Sequence, residues 1–409
     1  MLDPHYLQQI ADGAENIASQ LHEYIIRQIV DRMMIRIGRG DDYLLTSSDA
    51  WRIQVLQDSG YLLQDITAEL AKYTKRQEKE IKAAMEEAGV KALEYDDKIY
   101  RAAGLSPMSL TQSPALIRLM ERNYNATLGE WRNMTRSTAE AAQRLFLNEC
   151  DFAYNKVMSG ATSYSQAVRE AVEAVASGGV YVDYPSGHRD TIEVATARAV
   201  RTGIAQAAGD ISIKRMEEMD WDTILVSAHI GARTGDGGQN PGNHLWWQGQ
   251  FYSRTGRDKR FPNFYERTGY GTGVGLSGYN CRHSFGSGDG VNNPYADIQT
   301  ADNVRVEKLE QRQRALERRV RKTKREVMGL QEAVEKCQDE AARFELQQTL
   351  DRKSYLLSKQ NRAYSEFCKE NDLRPLNERL QIAKWSREQA AKARGAARRY
   401  QNAKTSTTV

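Results

Sequence analysis

Apolar residues along most of the chain recur at intervals of three and four, the spacing that puts them on one face of a helix. Over residues 5–37 this pattern predicts a helix, which the run Gly38-Arg39-Gly40-Asp41-Asp42 ends. A second long helix is predicted from Ser48, a capping residue, toward Met85. Gly89 is its expected C-terminal stop, because glycine adopts the left-handed conformation that closes many helices.

The same spacing predicts two more helices. Ser113-Pro114 combines a cap with a proline at the first helical position, which indicates a long helix reaching about Met158. Another helix runs from Tyr164 to Ala176 and ends at Ser177-Gly178-Gly179. Residues 1–176 are therefore predicted to form an all-helical domain.

The pattern then changes. Residues 180–184 alternate between apolar and polar positions and are rich in β-formers, which predicts a strand, and Pro185-Ser186-Gly187 follows as a turn. A helix over residues 190–219 and a second strand over residues 222–227 come next. This order predicts a small α+β domain over residues 177–300.

Beyond residue 301, apolar residues step by threes, fours and sevens to Phe344, shift phase and resume at Leu350. They predict a long coiled-coil-like arm or helical hairpin, with a tail that frays beyond Tyr400. The predicted fold class is thus α+β: a mostly α-helical N-terminal domain, a small module rich in glycine and aromatic residues, and a long basic C-terminal helical arm over residues 301–409.

Glycine is concentrated in one stretch. Residues 227–290 hold 15 of the 30 glycines, three of the six histidines and the Trp246-Trp247 pair. So many glycines would weaken helices, but they suit turns and close backbone contacts. A compact, turn-rich region with short strands at most and a small aromatic core is expected.

The distribution of charge and the spacing of the cysteines limit the kinds of protein that this chain could be. The net charge of +4 is regional, because residues 301–409 carry 26 Lys and Arg against 16 Asp and Glu. The chain contains no run of 18 apolar residues, so no transmembrane helix is expected. Its first residues do not have the pattern of a secretory signal, so synthesis in a cytoplasm is expected. The cysteines Cys150, Cys281, Cys337 and Cys368 form no Cys-x-x-Cys pair, so reduced thiols are expected.

Four segments occur in order: 228–233 (AHIGAR), 244–252 (HLWWQGQFY), 268–273 (TGYGTG) and 280–285 (NCRHSF). With them the chain resembles the minor capsid proteins of tailed bacteriophages, which are similar to head-morphogenesis proteins of the phage Mu type. The resemblance covers most of the chain. The motif residues that it singles out are Arg233, Trp246, Trp247, Gln248, Gly249, Tyr270, Gly271, Asn280 and Arg282.

This resemblance implies a structural protein of the virion, assembled in the host cytoplasm and carried inside the phage head near the portal. Residues 1–176 would then dock on the portal or the major capsid protein. Packaged double-stranded DNA is a further expected partner, and no membrane is involved.

The histidines and one cysteine of the glycine-rich stretch could bind zinc. His229, His244, Cys281 and His283 offer three imidazoles and one thiolate, a four-ligand set that suits a tetrahedral ion. The alternative is a hydrogen-bonded polar cluster that braces the region without any cofactor. The sequence leaves both interpretations open.

An enzyme is the competing functional class. His229, His244 and His283 with Arg233 could supply an acid, a base and an anion clamp for nuclease-like chemistry. The chain lacks a nucleophile elbow, a P-loop and an H-E-x-x-H motif. We therefore expect a protein without catalytic residues.

Basic residues near the C-terminus form the hypothetical DNA contact. Exposed cations neutralise phosphates without reading sequence, although a charge run on a helix is often only a solvated face. The candidates are Arg312, Arg318, Arg319, Arg321, Lys322, Lys324, Arg325, Arg398 and Arg399. Trp246 and Trp247 could stack on bases, but the aromatic residues around them favour a role in the core.

Overall fold

A computed structural model describes residues 1–40, 44, 48–184, 187–298, 300–383 and 385–406, apart from the side chains of residues 49, 135, 136 and 183. The structure is 70% helical with small antiparallel sheets, which agrees with a mostly α fold carrying a little β. Its longer helices are α2 (Asp12–Ile37), α3 (Ser48–Ala102), α4 (Pro114–Met158), α5 (Tyr164–Gly178), α6 (Ile192–Glu218), α9 (Asn303–Lys336), α10 (Glu340–Glu370) and α11 (Arg387–Ser406). The shorter helices are α1 (Pro4–Gln9), α7 (His244–Trp247) and α8 (Phe264–Thr268).

The first predicted helix is divided in two. Asp3 caps α1, since its side chain accepts from the backbone N–H groups of His5 and Tyr6, and Pro4 occupies the first turn. Helix α2 then begins at Asp12 and ends at Ile37, where the predicted stop starts. Asp41 and Asp42 of that stop lie outside the described residues, as does the turn predicted at Pro185-Ser186.

Helix α3 is longer than the sequence indicates, and the stop predicted at Gly89 is wrong. The helix passes through Gly60 and Gly89 and ends at Ala102. A Cβ added at Gly89 would lie 3.1 Å from Cδ1 of Ile211. This glycine therefore allows a close contact with α6 in the middle of a helix, instead of ending it. The tail also differs from its prediction, because α11 continues beyond Tyr400 to Ser406.

The described residues form five short strands, which make two sheets. Strands β1 (Tyr181–Asp183) and β2 (Arg189–Thr191) make an antiparallel pair. Strand β3 (Thr223–Val226) lies between β4 (Phe251–Ser253) and β5 (Phe285–Ser287), antiparallel to both. The second sheet supports the glycine-rich stretch.

The chain divides into two compact units, each made of three segments. Unit 1 contains residues 1–15, 75–133 and 194–311, and unit 2 contains the rest. Each unit takes residues from all three consecutive domains predicted from the sequence, whose boundaries at 176 and 300 stay a prediction. Unit 1 holds the three-stranded sheet and an aromatic core around Trp247, Tyr252 and Phe264.

Unit 2 includes the C-terminal helices as part of its core. Helices α9 and α10 pair antiparallel, with Glu326 contacting Lys353 at one level and Gln313 contacting Cys368 at another. Residues of α9, α10 and α11 lie in the same apolar cluster as residues of α2 and α5. Among the described residues, no helix combines the length and the apolar character needed to cross a bilayer.

A buried ionic network holds unit 2 together. Glu193 lies 2.8 Å from Nδ1 of His22 and 2.5 Å from a guanidinium nitrogen of Arg325, and all three side chains are almost fully buried. Burial alone would raise the pKa of Glu193, but Arg325 and His22 outweigh it and hold that pKa well below its usual range. The carboxylate is therefore the charge that allows Arg325 to be buried.

We expect the substitution Glu193→Gln to destabilise the protein by about 3–5 kcal/mol, because it leaves the Arg325 guanidinium buried without its counter-charge. Glu335→Gln is the matched control, since Glu335 is exposed and pairs with Lys392 on the surface of the same unit. Its effect should stay below about 1 kcal/mol. Urea unfolding followed by circular dichroism measures both, and equal losses would contradict the role given to Glu193.

Candidate functional site

Pairing of β3 with β5 brings distant histidines together. Val226 at the end of β3 lies opposite Phe285 at the start of β5. The ladder continues one step further, because the backbone N–H of Ser227 donates to the carbonyl of Ser284. His229, just after β3, and His283, just before β5, therefore stack with ring centroids 4.4 Å apart.

Residues 268–279 form a tight loop with several internal backbone hydrogen bonds. A Cβ added at Gly275 would lie 2.3 Å from the carbonyl oxygen of Gly269, and one at Gly278 would lie 2.4 Å from that of Gly273. No other residue type fits this spacing, since real side chains do not approach backbone oxygens so closely. The glycines thereby fix the direction of the Val274 carbonyl within the loop.

His244, the first residue of α7, forms a hydrogen bond with that carbonyl. His244 Nε2 lies 2.9 Å from the Val274 oxygen, which can only accept a hydrogen bond. The ring proton must therefore be on Nε2, and Nδ1 of the neutral ring carries a lone pair. Burial lowers the pKa of His244 to about 4, so the ring is neutral near pH 7.

Gln248 fixes the proton of His283 in the same way. Its side-chain oxygen accepts from the backbone N–H of His229 at 3.1 Å and lies 2.8 Å from His283 Nε2. Since a backbone N–H only donates, the shared atom must be oxygen, and His283 must donate to it. His283 therefore also has its lone pair on Nδ1, and burial lowers its pKa well below the usual range.

Both Nδ1 lone pairs face Cys281. Its Sγ lies 3.8 Å from His244 Nδ1 and 3.7 Å from His283 Nδ1, and these three atoms all lie within 4.8 Å of one another. All three side chains are buried, with the Trp247 ring packed against both histidines. Burial raises the pKa of the Cys281 thiol. The structure thus brings together three of the four predicted metal ligands.

His229, the fourth predicted ligand, is placed differently. Its Nδ1 lies 3.0 Å from the carbonyl oxygen of its neighbour Ile230, and its ring is partly exposed and stacked on His283. The three-atom group does not include it.

Several motif residues named by the resemblance make ion pairs or hydrogen bonds within unit 1. Arg282 pairs with Glu310 at 2.9 Å and donates to the Gly231 carbonyl, and Arg233 donates to the Tyr279 carbonyl. Tyr270 donates to Asp210 at 2.8 Å. Asn280 adopts a left-handed φ of 57° immediately before Cys281.

The remaining motif residues serve turns and packing. Gly249 and Gly271 have positive φ values of 65° and 91°. Trp247 is fully buried and donates to the Pro241 carbonyl, which places it in the core. The guanidinium of Arg267 lies 3.8 Å from the ring centroid of Trp246.

The structure sorts the predicted DNA-binding cations by exposure. Lys324 and Arg325 are buried, and Lys324 donates to the Leu380 carbonyl. Arg321 donates to the Arg379 carbonyl, and Arg399 forms a two-bond ion pair with Asp351. The exposed side chains that have no such partner within the described part of the chain are Arg312, Arg318, Arg319, Lys322 and Arg398.

Sequence reasoning missed a basic cleft of about 430 Å³ between α10 and α11. Tyr355 and Tyr400 line it and contact each other, with ring centroids 5.3 Å apart. The cations on its walls are Arg352, Lys353, Lys359 and Lys404. Each helix repeats the pattern Tyr-x-x-x-Lys, at 355–359 and 400–404, and that repeat is the sequence signal that could have identified the cleft.

A family model described as phage minor capsid protein 2 matches residues 2–357. No curated protein and no solved structure matches the chain.

We expect Gly275→Ala to destabilise the protein by about 1–3 kcal/mol, because the added methyl group overlaps a backbone oxygen that cannot move without opening the loop. Gly129→Ala is the control. Gly129 lies in α4 with nothing near its would-be Cβ, so alanine should stabilise the protein by about 0.8–1.0 kcal/mol. Thermal unfolding distinguishes the two, and a neutral Gly275→Ala would refute the proposed packing.

Proposed function

We propose that this chain, which belongs to the phage minor capsid protein 2 family, lies inside the phage head near the portal and contacts packaged DNA. Membership makes the protein a structural component of a bacteriophage virion. The finer assignment rests on where unit 2 carries charge and exposed apolar surface.

A stripe of exposed cations on α9 carries the proposal. Arg312, Arg318, Arg319 and Lys322 fall within an arc of about 120° around the helix, at about 100° per residue. All four are exposed, and none of them pairs with a carboxylate among the residues that the structure describes. Such a surface suits a polyphosphate backbone and has no feature that would read bases.

The tyrosine cleft offers a second basic surface on unit 2. Its four cations would attract phosphate, and its two rings could stack on an unpaired base. Arg352 and Lys353 are partly neutralised there by Glu173. The stripe on α9 is therefore the stronger candidate for duplex DNA.

An apolar patch on α3 supports docking to the portal or the major capsid protein. Ile53 and Leu56 lie about 60° apart on the helix and are 58% and 60% exposed. Contiguous exposed apolar surface is a mark of protein interaction sites when it is extensive. Ile53 and Leu56 belong to the N-terminal region for which the family resemblance implies docking.

Burial argues against the nuclease-like alternative. His244 is 2% exposed and His283 is 1% exposed, so a phosphodiester could not reach either ring. The Arg233 guanidinium donates a hydrogen bond to the Tyr279 carbonyl. These contacts support a structural role for the cluster, in line with the family's structural description.

The DNA proposal predicts a specific salt dependence. Replacing Arg312, Arg318, Arg319 and Lys322 together by Gln should weaken duplex binding, because fewer phosphates are then neutralised. The slope of log K against log salt should become shallower by about 0.9 for each phosphate that the variant no longer neutralises. Fluorescence anisotropy with a duplex of arbitrary sequence, measured over several salt concentrations, tests this.

The control removes the same charge from exposed cations that already pair with carboxylates. These are Lys91, Arg122, Arg132 and Arg257. Binding that falls equally in both quadruple variants would show an effect of net charge only and would contradict an interface on α9.

The docking proposal predicts a loss of incorporation. In phage supplied with Ile53→Ser and Leu56→Ser together, we expect fewer copies of the protein per purified head, because serine cannot replace the apolar surface that docking would bury. Val291→Ser with Phe344→Ser is the control, since those residues are also well exposed but lie elsewhere. Quantitative mass spectrometry of heads measures both, and normal incorporation of the first variant would exclude this patch as the docking surface.

A further inference from the structure

Cys281 Sγ, His244 Nδ1 and His283 Nδ1 converge inside unit 1, and the hydrogen-bond donors that the structure describes there are too few to satisfy both nitrogens. His244 and His283 each commit their ring proton to an acceptor on the far side, Val274 and Gln248 respectively. Both Nδ1 lone pairs then face the Cys281 sulfur. A thiol has one proton, so it can satisfy only one of the two nitrogens, and the described part of the chain offers no second donor to them.

A buried lone pair without a donor is costly, and a metal cation satisfies all three atoms at once. We propose that Cys281 Sγ, His244 Nδ1 and His283 Nδ1 bind a single divalent metal ion of the zinc class. The distances fit: with Zn–S of about 2.3 Å and Zn–N of about 2.0–2.1 Å, tetrahedral angles put sulfur and nitrogen about 3.5 Å apart. The observed separations are 3.8 and 3.7 Å.

The surroundings match those of known metal-binding histidines. Such histidines donate their other ring N–H to a carbonyl or carboxylate, which fixes the ring and its tautomer. Here a backbone carbonyl and the Gln248 amide oxygen accept those protons, and Gln248 is itself only 6% exposed. The backbone N–H of His283 also points at Cys281 Sγ at 3.4 Å, a contact that stabilises a thiolate.

The ligand types select the metal. One thiolate and two imidazoles favour Zn²⁺ and disfavour Mg²⁺ or Ca²⁺, which take oxygen ligands. Three protein ligands leave the fourth tetrahedral position to a water molecule. The ion would join the start of α7 to the segment before β5, and so would link two parts of the glycine-rich stretch that lack extensive regular structure.

Cobalt substitution of the full-length protein tests the site. After chelator treatment under reducing conditions, Co²⁺ should bind at one equivalent and give visible d–d bands with a sulfur-to-cobalt charge-transfer band. One equivalent of Zn²⁺ should abolish both and raise the unfolding temperature. Wild-type protein without a charge-transfer band at saturating Co²⁺ would overturn the proposal.

Matched variants assign the ligands. Cys281→Ser should lose the charge-transfer band, whereas Cys337→Ser should keep it, since Cys337 is also buried but lies in unit 2. His229→Ala should keep the band, and its loss there would contradict the three-residue set. If Cys281→Ser does not fold, X-ray absorption of the zinc-loaded wild type decides: one sulfur and two imidazoles support the site, and an oxygen-only shell refutes it.

Discussion

The antiparallel pairing of β3 with β5 is the contact on which the candidate site depends. It joins residues 226 and 285 and so places the segments after one strand and before the other side by side. Phe285 then enters the aromatic core with Phe264 and Tyr270, at centroid distances of 4.8 and 5.0 Å. Without this register, the histidines after β3 and before β5 would have no fixed relation.

Much of the helical architecture could be predicted from local patterns, because a helix records its buried face in the spacing of its own residues. The long helix from Pro114 to Met158 is an example. Gly89 shows the limit. The sequence cannot distinguish a glycine that ends a helix from one that lets a neighbour such as Ile211 approach, since the difference lies in a contact 122 positions away in the chain.

The same limit applies to charge. Lys324 and Arg325 belong to a basic run that also contains exposed residues, and nothing local distinguishes them. Arg325 is buried because Glu193, far away in the sequence, supplies a buried carboxylate. For the histidine cluster, the sequence supplied the residue types, but the proton positions follow from acceptors such as the Val274 carbonyl, whose direction only the folded loop determines.

Burial then separates the functions that a polar residue can have in this chain. A phosphate backbone needs cations that keep their charge in solvent, so a side chain such as Arg318 can serve DNA, and Arg325 cannot. A thiolate–imidazole metal site needs the opposite, because water competes for an exposed ion and burial holds the imidazoles neutral. The cationic stripe and the Cys281 cluster therefore stand on independent observations, and either assignment survives the loss of the other.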